Sequence, residues 1–417
     1  VSDPCLSPAH LLRYREALAR LRTDALPLPA EDVAAERSAG RVLAADVIAR
    51  TALPGFDNAA MDGYALHGDP QTLRAGSILT IAGTVVAGDA PPQYAAQAWE
   101  IMTGAPLPPD TDTIVPVEHT ERLDARRVHL RQDVRPGQHL RRQGSDMQVG
   151  ECFAQAGRRV DATLQMLLAA QGIATMSVRA RPRVAILSTG NELVADPHAP
   201  LAPGQIRASN GPYLAAALHD AGARLIAHHT LGDAPDAFAA RLRQVADEAD
   251  LVLTTGAVSA GIHDFIPQAL RDAGATVLFH KTAIRPGKPL LAAQLPGGAL
   301  VLGLPGNPVA TDVGFRFFAV PLLRAWQGLI DERPLRARLT ADCQGRSGFR
   351  QFLKARVDHD ADGQLRVQVL TGQEAFRIGA LLQANAWAVI DEDAGLLPTG
   401  TPIEVVPRDA GGRWRFD

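Results

Sequence analysis

The chain has 417 residues, 46% apolar and 21% charged, with a formal net charge of −3. That length is too great for one core and suggests about three or four units, while the near-neutral charge gives no field for nucleic acid. The three cysteines (Cys5, Cys152, Cys343) are too scattered for a disulfide framework or a zinc box; with no apolar run of spanning length and no signal-peptide pattern, the expectation is a cytoplasmic protein without a membrane partner.

Residues 8–22 read as an amphipathic helix, with Leu11, Leu12, Ala17, Leu18 and Leu21 on one stripe. Residues 51–64 are a polar loop, and 76–135 carry short alternating runs broken by Gly and Pro, a β pattern. A helix is predicted at 161–171, with Asp161 as N-cap and Gly172 as its stop. From Arg181-Pro182 to about 327 buried strands alternate with helical patterns. Val184-Ala185-Ile186-Leu187 ends in Ser188-Thr189-Gly190, Leu251-Val252-Leu253 in Thr254-Thr255-Gly256, and Leu300-Val301-Leu302 in Gly303-Leu304-Pro305-Gly306-Asn307-Pro308. Runs apolar on both faces argue a parallel sheet covered on both sides. After Pro334 the chain turns β again at Leu335–Ala341, Gln351–Val357 and Leu365–Leu370, with Asp362-Gly363 as a hairpin turn. The expected fold is α/β multidomain: a parallel doubly wound α/β sheet domain with β-rich N-terminal and C-terminal domains. The boundaries read as 1–50 plus 140–180 (elongated, discontinuous), 51–139 (inserted, β-rich), 181–327 (the sheet domain) and 328–417 (β).

Three strands that each end in a Gly turn feeding a helix would place those turns at one sheet edge, where such sheets bind ligands. Helix N-termini there would offer N–H groups to an anion, with Asn307-Pro308 as cap and first helical residue. Only three of 42 basic residues are lysines, and two of them, Lys281 and Lys288, sit beside these turns in His280–Pro289. An ammonium is a compact point charge that a guanidinium does not always replace against a tetrahedral anion, so an oxyanion or phosphate site is expected. Neither the P-loop nor the dinucleotide fingerprint is present. Glu192, Asp233 and Asp264 also collect at the turns; they are helix-capping acids or, with a cation between them and a phosphate, Mg²⁺ ligands. Ala257-Val258-Ser259-Ala260-Gly261 nearly matches a serine-hydrolase elbow, but its first Gly is missing and no later acid-then-His pair is evident apart from His359; His263 and His280 read as lone solvated or packed histidines. Ser259 fits better as a hydroxyl donor to an anion.

Pro54-x-Phe56-Asp57-Asn58-x-Ala60-Met61-Asp62-Gly63-Tyr64-Ala65 resembles the signature loop of the molybdopterin molybdenumtransferases, the MoeA family, also found as the C-terminal domain of gephyrin. Ile101-Met102-Thr103-Gly104-Ala105-Pro106, Ser188-Thr189-Gly190-x-Glu192-Leu193, Pro286-Gly287-Lys288-Pro289 and Leu304-Pro305-Gly306-Asn307-Pro308 match in the same order. The resemblance implies a transferase of molybdenum cofactor biosynthesis that inserts molybdenum from molybdate into adenylylated molybdopterin, releasing AMP, with Mg²⁺ as cofactor. It implies a homodimer whose active site is shared between subunits, and handover of product to apo-molybdoenzymes. Carried over by position, Asp62, Thr103, Asp146, Glu192, Asp233 and Asp264 form the catalytic polar set, with Glu192, Asp233 and Asp264 as metal ligands. Ser259, Gly256, Lys281, Arg285, Lys288, Pro305, Gly306, Asn307 and Pro308 would bind molybdate or the pterin phosphate.

The chain departs from the family pattern at Asn191 (commonly Asp), Ala257 (commonly Gly), Ala208 (commonly Asp) and Ser145 (commonly Glu). Gly379-Ala380-Leu381-Leu382 replaces expected serines, and Lys354 falls where the C-terminal domain usually carries a basic residue. These changes leave a catalytically altered paralogue or a non-enzymatic scaffold of the same fold as the alternative.

Overall fold

The computed structural model describes residues 11–69, 73–258 and 265–414. Cys5, Ser259, His263 and Asp264 therefore lie outside the described residues. The chain divides into two compact units: Val1–Ala44, Gly157–Asp161 and Thr175–Asp417 form one, Ala45–Ala156 and Ala162–Ala174 the other.

The larger unit is built on a six-stranded sheet in the order Arg224–Leu231, Arg183–Thr189, Leu251–Thr255, Leu300–Leu304, Leu291–Gln294, Thr276–His280. The first four strands are parallel, and Leu291–Gln294 runs antiparallel to both of its neighbours, Leu300–Leu304 and Thr276–His280. The sheet is thus mixed rather than wholly parallel, because residues 290–300 return as a hairpin instead of crossing over a helix. Alternate residues serve opposite faces. Val184, Ile186, Leu251 and Leu253 pack with Leu214, Leu218, Val309 and Val313 on one side. Ala185, Leu187 and Val252 pack with Phe238, Leu242, Ile266 and Leu270 on the other. Each such buried Leu or Ile contributes roughly 1.5–3 kcal/mol of transfer free energy, which is why these strands tolerate no polar face.

The first helix is Tyr14–Leu21, shorter than the sequence predicts. Leu12 is drawn out of it by bridging to Thr282, and its carbonyl accepts the Ala283 N–H at 2.8 Å. A six-stranded sheet of Ile284–Arg285, Arg350–His359, Leu365–Val369, Leu335–Leu339, Pro402–Pro407 and Ala386–Ile390 carries the C-terminal part. The extra pairing of Arg350–His359 with Ala386–Ile390 closes it on itself around Ala355, Val357, Val367 and Val405. Gly363, at φ 77, makes the expected turn between two of its strands.

The smaller unit holds a six-stranded sheet in the order Thr113–Pro116, Gly63–Leu66, Ala98–Ile101, Ile78–Val85, Arg127–Leu130, Thr120–Asp124. The segment expected as a loop at 51–64 contains the short strand Asn58–Ala59 and the start of Gly63–Leu66. The predicted helix is present as Ala162–Ala170, and Gly172 turns left-handed after it at φ 62.

Candidate active site

The parallel strands Arg183–Thr189, Leu251–Thr255 and Leu300–Leu304 are neighbours in register, so their C-terminal ends lie together. The turns packed there are close. A Cβ on Gly256, at φ +89, would stand 2.3 Å from the Thr189 carbonyl oxygen. Ala257 also adopts a left-handed φ of 49, a conformation that favours glycine. Between the turns opens a cleft of about 350 Å³ lined by Thr189, Gly190, Glu192, Asp233, Gly256, Ala257, Val258, Pro289, Pro305, Gly306 and Asn307. Glu192 is exposed, and neither it nor Asp233 makes an ion pair among the described residues. Asn191 and Asp233 clasp each other: the Asn191 side-chain oxygen accepts the Asp233 N–H at 3.0 Å, and Asp233 Oδ2 accepts the Asn191 N–H at 3.3 Å. An Asp at 191 would accept that first bond equally well but set a third carboxylate beside Glu192 and Asp233, so Asn191 preserves the clasp with less like-charge repulsion.

A second cleft of about 940 Å³ adjoins the first and shares Pro289, Pro305 and Asn307 with it. Arg285 and Lys288 line it, both exposed and neither with a side-chain ion pair or side-chain hydrogen bond among the described residues. Lys281 does not line either cleft: it sits at φ 71, with its N–H donating to the Leu290 carbonyl at 2.8 Å. Pro308 lines neither cleft and instead begins the helix.

The helix N-termini contribute less than the sequence suggests. After Gly190 the chain first forms the short paired strands Leu193–Val194 and Ile206–Arg207, and a helix begins only at Asn210. Asn307 caps the third turn by backbone geometry, without a side-chain bond. The Val309 N–H donates to the Ala375 carbonyl at 3.0 Å and the Thr311 N–H to the Asn307 carbonyl at 2.9 Å, so these donors already have acceptors. The turn itself is braced: Asn210 Nδ2 donates to the Gly306 carbonyl at 2.7 Å and Thr311 Oγ1 to the Pro305 carbonyl at 2.6 Å.

In the smaller unit Asp62 and Thr103 meet. One Asp62 oxygen accepts both the Thr103 N–H and its hydroxyl, each at 2.7 Å. The Thr103 hydroxyl, then its N–H, hold the Asp62 carboxyl below the usual carboxylate range. Gly63 is required because a Cβ there would lie 2.0 Å from the Val115 carbonyl oxygen. Asp146 lies on an exposed loop folded onto the 53–57 segment, its N–H donating to the Leu53 carbonyl at 2.9 Å. Asp57 pins that loop through the Gln143 N–H at 2.6 Å and Arg142 at 2.7 Å, which also depress its own carboxyl.

Family models match the chain throughout: the MoeA N-terminal region (domain I and II) over residues 12–172, a probable molybdopterin binding domain over 185–325, and the MoeA C-terminal region (domain IV) over 336–407. A molybdopterin molybdenumtransferase from Synechococcus elongatus is 37% identical over 407 residues, 95% of this chain and 99% of the relative. The chain belongs to the molybdopterin molybdenumtransferase (MoeA) family. Molybdopterin molybdenumtransferase 2 of Mycobacterium tuberculosis is 40% identical over 380 residues, covering 88% of this chain and 92% of its own. The crystal structure of a molybdopterin biosynthesis MoeA protein from Pyrococcus horikoshii superposes with a TM-score of 0.80 at 28% identity, covering 96% of this chain and 99% of the other.

Within this MoeA chain the C-terminal wall of the larger cleft is what the sequence analysis missed. Arg346, Phe349, Gln351 and the turn 371–375 line it. No local pattern marks them, since they reach the cleft only when the C-terminal sheet pairs Arg285 with Gln351. Lys354 lines neither cleft: it is fully buried, and its ammonium donates to the carbonyls of Gly372 at 2.5 Å, Glu374 at 3.3 Å and Arg377 at 3.3 Å. The hydrolase reading has no support from this family, and His359 is exposed at the far end of the strand Arg350–His359.

Proposed function

We propose that this chain is a molybdenum-inserting transferase of molybdenum cofactor biosynthesis, taking molybdate and adenylylated molybdopterin and releasing AMP. Its support is membership of the MoeA family together with one arrangement of charges. Two cations without an ion pair among the described residues, Arg285 and Lys288, line one cleft, and two carboxylates, Glu192 and Asp233, line the adjoining one. Molybdate is a tetrahedral dianion. Lys288 and Arg285 can neutralise and orient it through charge-assisted hydrogen bonds, and their exposure lets it enter and leave. The reaction needs positioning and charge neutralisation more than a strong nucleophile. Asp62, fixed by Thr103, supplies a carboxylate that stays ionised well below neutral pH.

Glu192 and Asp233 are hard oxygen donors with no cationic partner among the described residues, which suits Mg²⁺, an ion commonly held by one or two carboxylates plus phosphates. Bound there, Mg²⁺ would polarise the phosphoanhydride. Among the described residues no group of three or more such ligands is assembled, and Asp264 lies outside them. The working form is read as a cytoplasmic homodimer that passes its product to apo-molybdoenzymes. Among the described residues no helix is long and apolar enough to cross a membrane.

The test is incubation with adenylylated molybdopterin, Mg²⁺ and molybdate, reading AMP release and reconstitution of an apo-molybdoenzyme. Lys288→Ala should raise the molybdate KM by about tenfold or more, the loss of one charge-assisted bond. Lys288→Arg should recover only part of it, because the planar guanidinium places its charge differently. No AMP release by the wild type would leave the scaffold alternative standing.

A further inference from the structure

The turn Gly256-Ala257-Val258 walls the smaller cleft beside Glu192 and Asp233, and its course is set by the sheet beneath it. Thr276–His280 and Leu300–Leu304 each pair antiparallel with Leu291–Gln294, so they run in one direction, and His280 ends at the same edge as Thr255. The pairings Thr254 with Gly303, Gly303 with Leu291 and Leu291 with His280 make one transverse row across four strands. Residues directly opposite each other share a face. Leu291 and Val258 belong to one core and Phe279 to the core on the other side, which places His280 on the face that carries Val258. Gly303 leaves a slot in the row, since a Cβ there would stand 2.8 Å from Val258 Cγ1. Val258, buried, fills that slot. His280 closes the row, with its Nε2 standing 2.9 Å from the Val258 carbonyl oxygen. A carbonyl only accepts, so Nε2 carries the proton. Two strands separate Leu251–Thr255 from Thr276–His280, so the turn runs along the sheet edge to reach His280 instead of rising off it. At its other end Gly256 is pressed on the Thr189 carbonyl, and its N–H donates to the Leu304 carbonyl at 3.3 Å. Ala257, between the two anchors, holds a left-handed φ of 49, which persists only where its surroundings enforce it.

We propose that His280 is a positioning residue for molybdenum insertion: by donating to the Val258 carbonyl it holds Gly256-Ala257-Val258 in the shape that seats the substrate beside Glu192 and Asp233. This rests on the reading that these clefts carry the reaction. His280 lines neither cleft, so it acts through the turn and not on the substrate. Without its bond the left-handed Ala257 loses its outer anchor and the turn relaxes. A wall displaced by about an ångström in such a site costs up to on the order of a hundredfold in rate. Among the described residues Arg285 and Lys288 make no side-chain bond to His280 or to the turn, so their hold on an anion is spared.

The experiment compares wild type with His280→Phe, His280→Asn and His280→Gln. It reads kcat of AMP release, KM of molybdate, melting temperature, and backbone hydrogen exchange over residues 251–258. Phenylalanine keeps a flat ring without a donor. Asparagine and glutamine carry the same amide and differ by one methylene, and only glutamine places an N–H where Nε2 stands. His280→Phe and His280→Asn are expected to lower kcat by about tenfold or more with the molybdate KM within about twofold. The same two variants should exchange faster over the turn, and His280→Gln should restore most of both properties. Unchanged kcat and exchange in His280→Phe overturn the assignment while the cleft reading stands. Equal losses in His280→Asn and His280→Gln that follow melting temperature would make His280 a packing residue, and overturn it too. A wild-type chain that releases no AMP removes the cleft reading and the proposal together, whatever the exchange shows.

Discussion

At the residue scale, charge that is buried and charge that is free do different things in this protein. Lys354 belongs to the first kind. Lys354→Met should keep the packing volume but leave three carbonyls without their donor, lowering stability by about 1–3 kcal/mol, readable as a reduced chemical-denaturation midpoint at an unchanged slope. Asp312 is the second instructive case. It lies almost fully buried within the helix Pro308–Gly314, accepts the Tyr213 hydroxyl at 2.7 Å on one oxygen, and has no partner on the other among the described residues. Burial pushes its carboxyl up to about 6, against opposing pulls from the Tyr213 hydrogen bond, Arg408 and Arg316. A carboxyl raised in the fold favours folding below its unfolded value near 4, and that advantage is lost as pH climbs to about 6. Asp312→Asn removes this titration while keeping an acceptor for Tyr213. The stability of the variant relative to wild type should therefore be more favourable at pH 7.5 than at pH 5, by on the order of 1.5 kcal/mol. Equal differences at the two pH values would contradict a raised carboxyl.

At the element scale, the cleft is made by turns whose backbone is fixed from several sides. Helices Asn210–Asp220 and Pro308–Gly314 are tied at two points, Asn210 to the Gly306 carbonyl and Tyr213 to Asp312. The turn after Leu251–Thr255 is the tightest. Gly256→Ala would drive a Cβ into the Thr189 carbonyl, against backbone that cannot rotate away, so a loss of more than about 1 kcal/mol is expected. Ala257→Gly should act in the other direction, relieving a left-handed alanine that costs roughly 1–2 kcal/mol, less what glycine adds in unfolded-state entropy. Melting curves of the two variants should thus move apart around wild type. A fall in both would mean that Ala257 is held by contacts its conformation does not reveal.

At the scale of the whole molecule, the candidate residues are divided between the two compact units. Asp62, Thr103 and Asp146 lie in one, and Glu192, Asp233, Arg285 and Lys288 in the other. The homodimer read from the family resemblance would join one unit of each kind from different subunits, giving two equivalent clefts under two-fold symmetry. Mixing Asp62→Ala chains with Glu192→Ala chains tests this. In a mixed dimer one cleft takes both lesions and the other neither, so random exchange should restore about a quarter of wild-type activity from two inactive parents. No recovery, with exchange confirmed by tagged subunits, would place the whole site within one chain.

Much of this was written locally. The parallel strands at 183–189, 251–255 and 300–304 were legible because strands buried on both faces must be apolar throughout, and the glycines after them because a side chain at Gly256 has no room. The Asp62–Thr103 pair was legible only as two halves of a resemblance, since nothing local to either residue requires the other. What tertiary structure alone decided is where charge remains free. Lys281, Lys288 and Lys354 look alike in the sequence, yet only Lys288 lines the cleft, because Lys354 is enclosed by a turn that closes over it and Lys281 is set aside by its backbone. Likewise the helix beginning at Pro308 looked like an open anion site until the Ala375 carbonyl, 66 residues on, took the Val309 N–H. Periodicity and turn chemistry act between near neighbours and can be read along the chain; the satisfaction of a donor or a charge depends on whatever segment the fold brings against it.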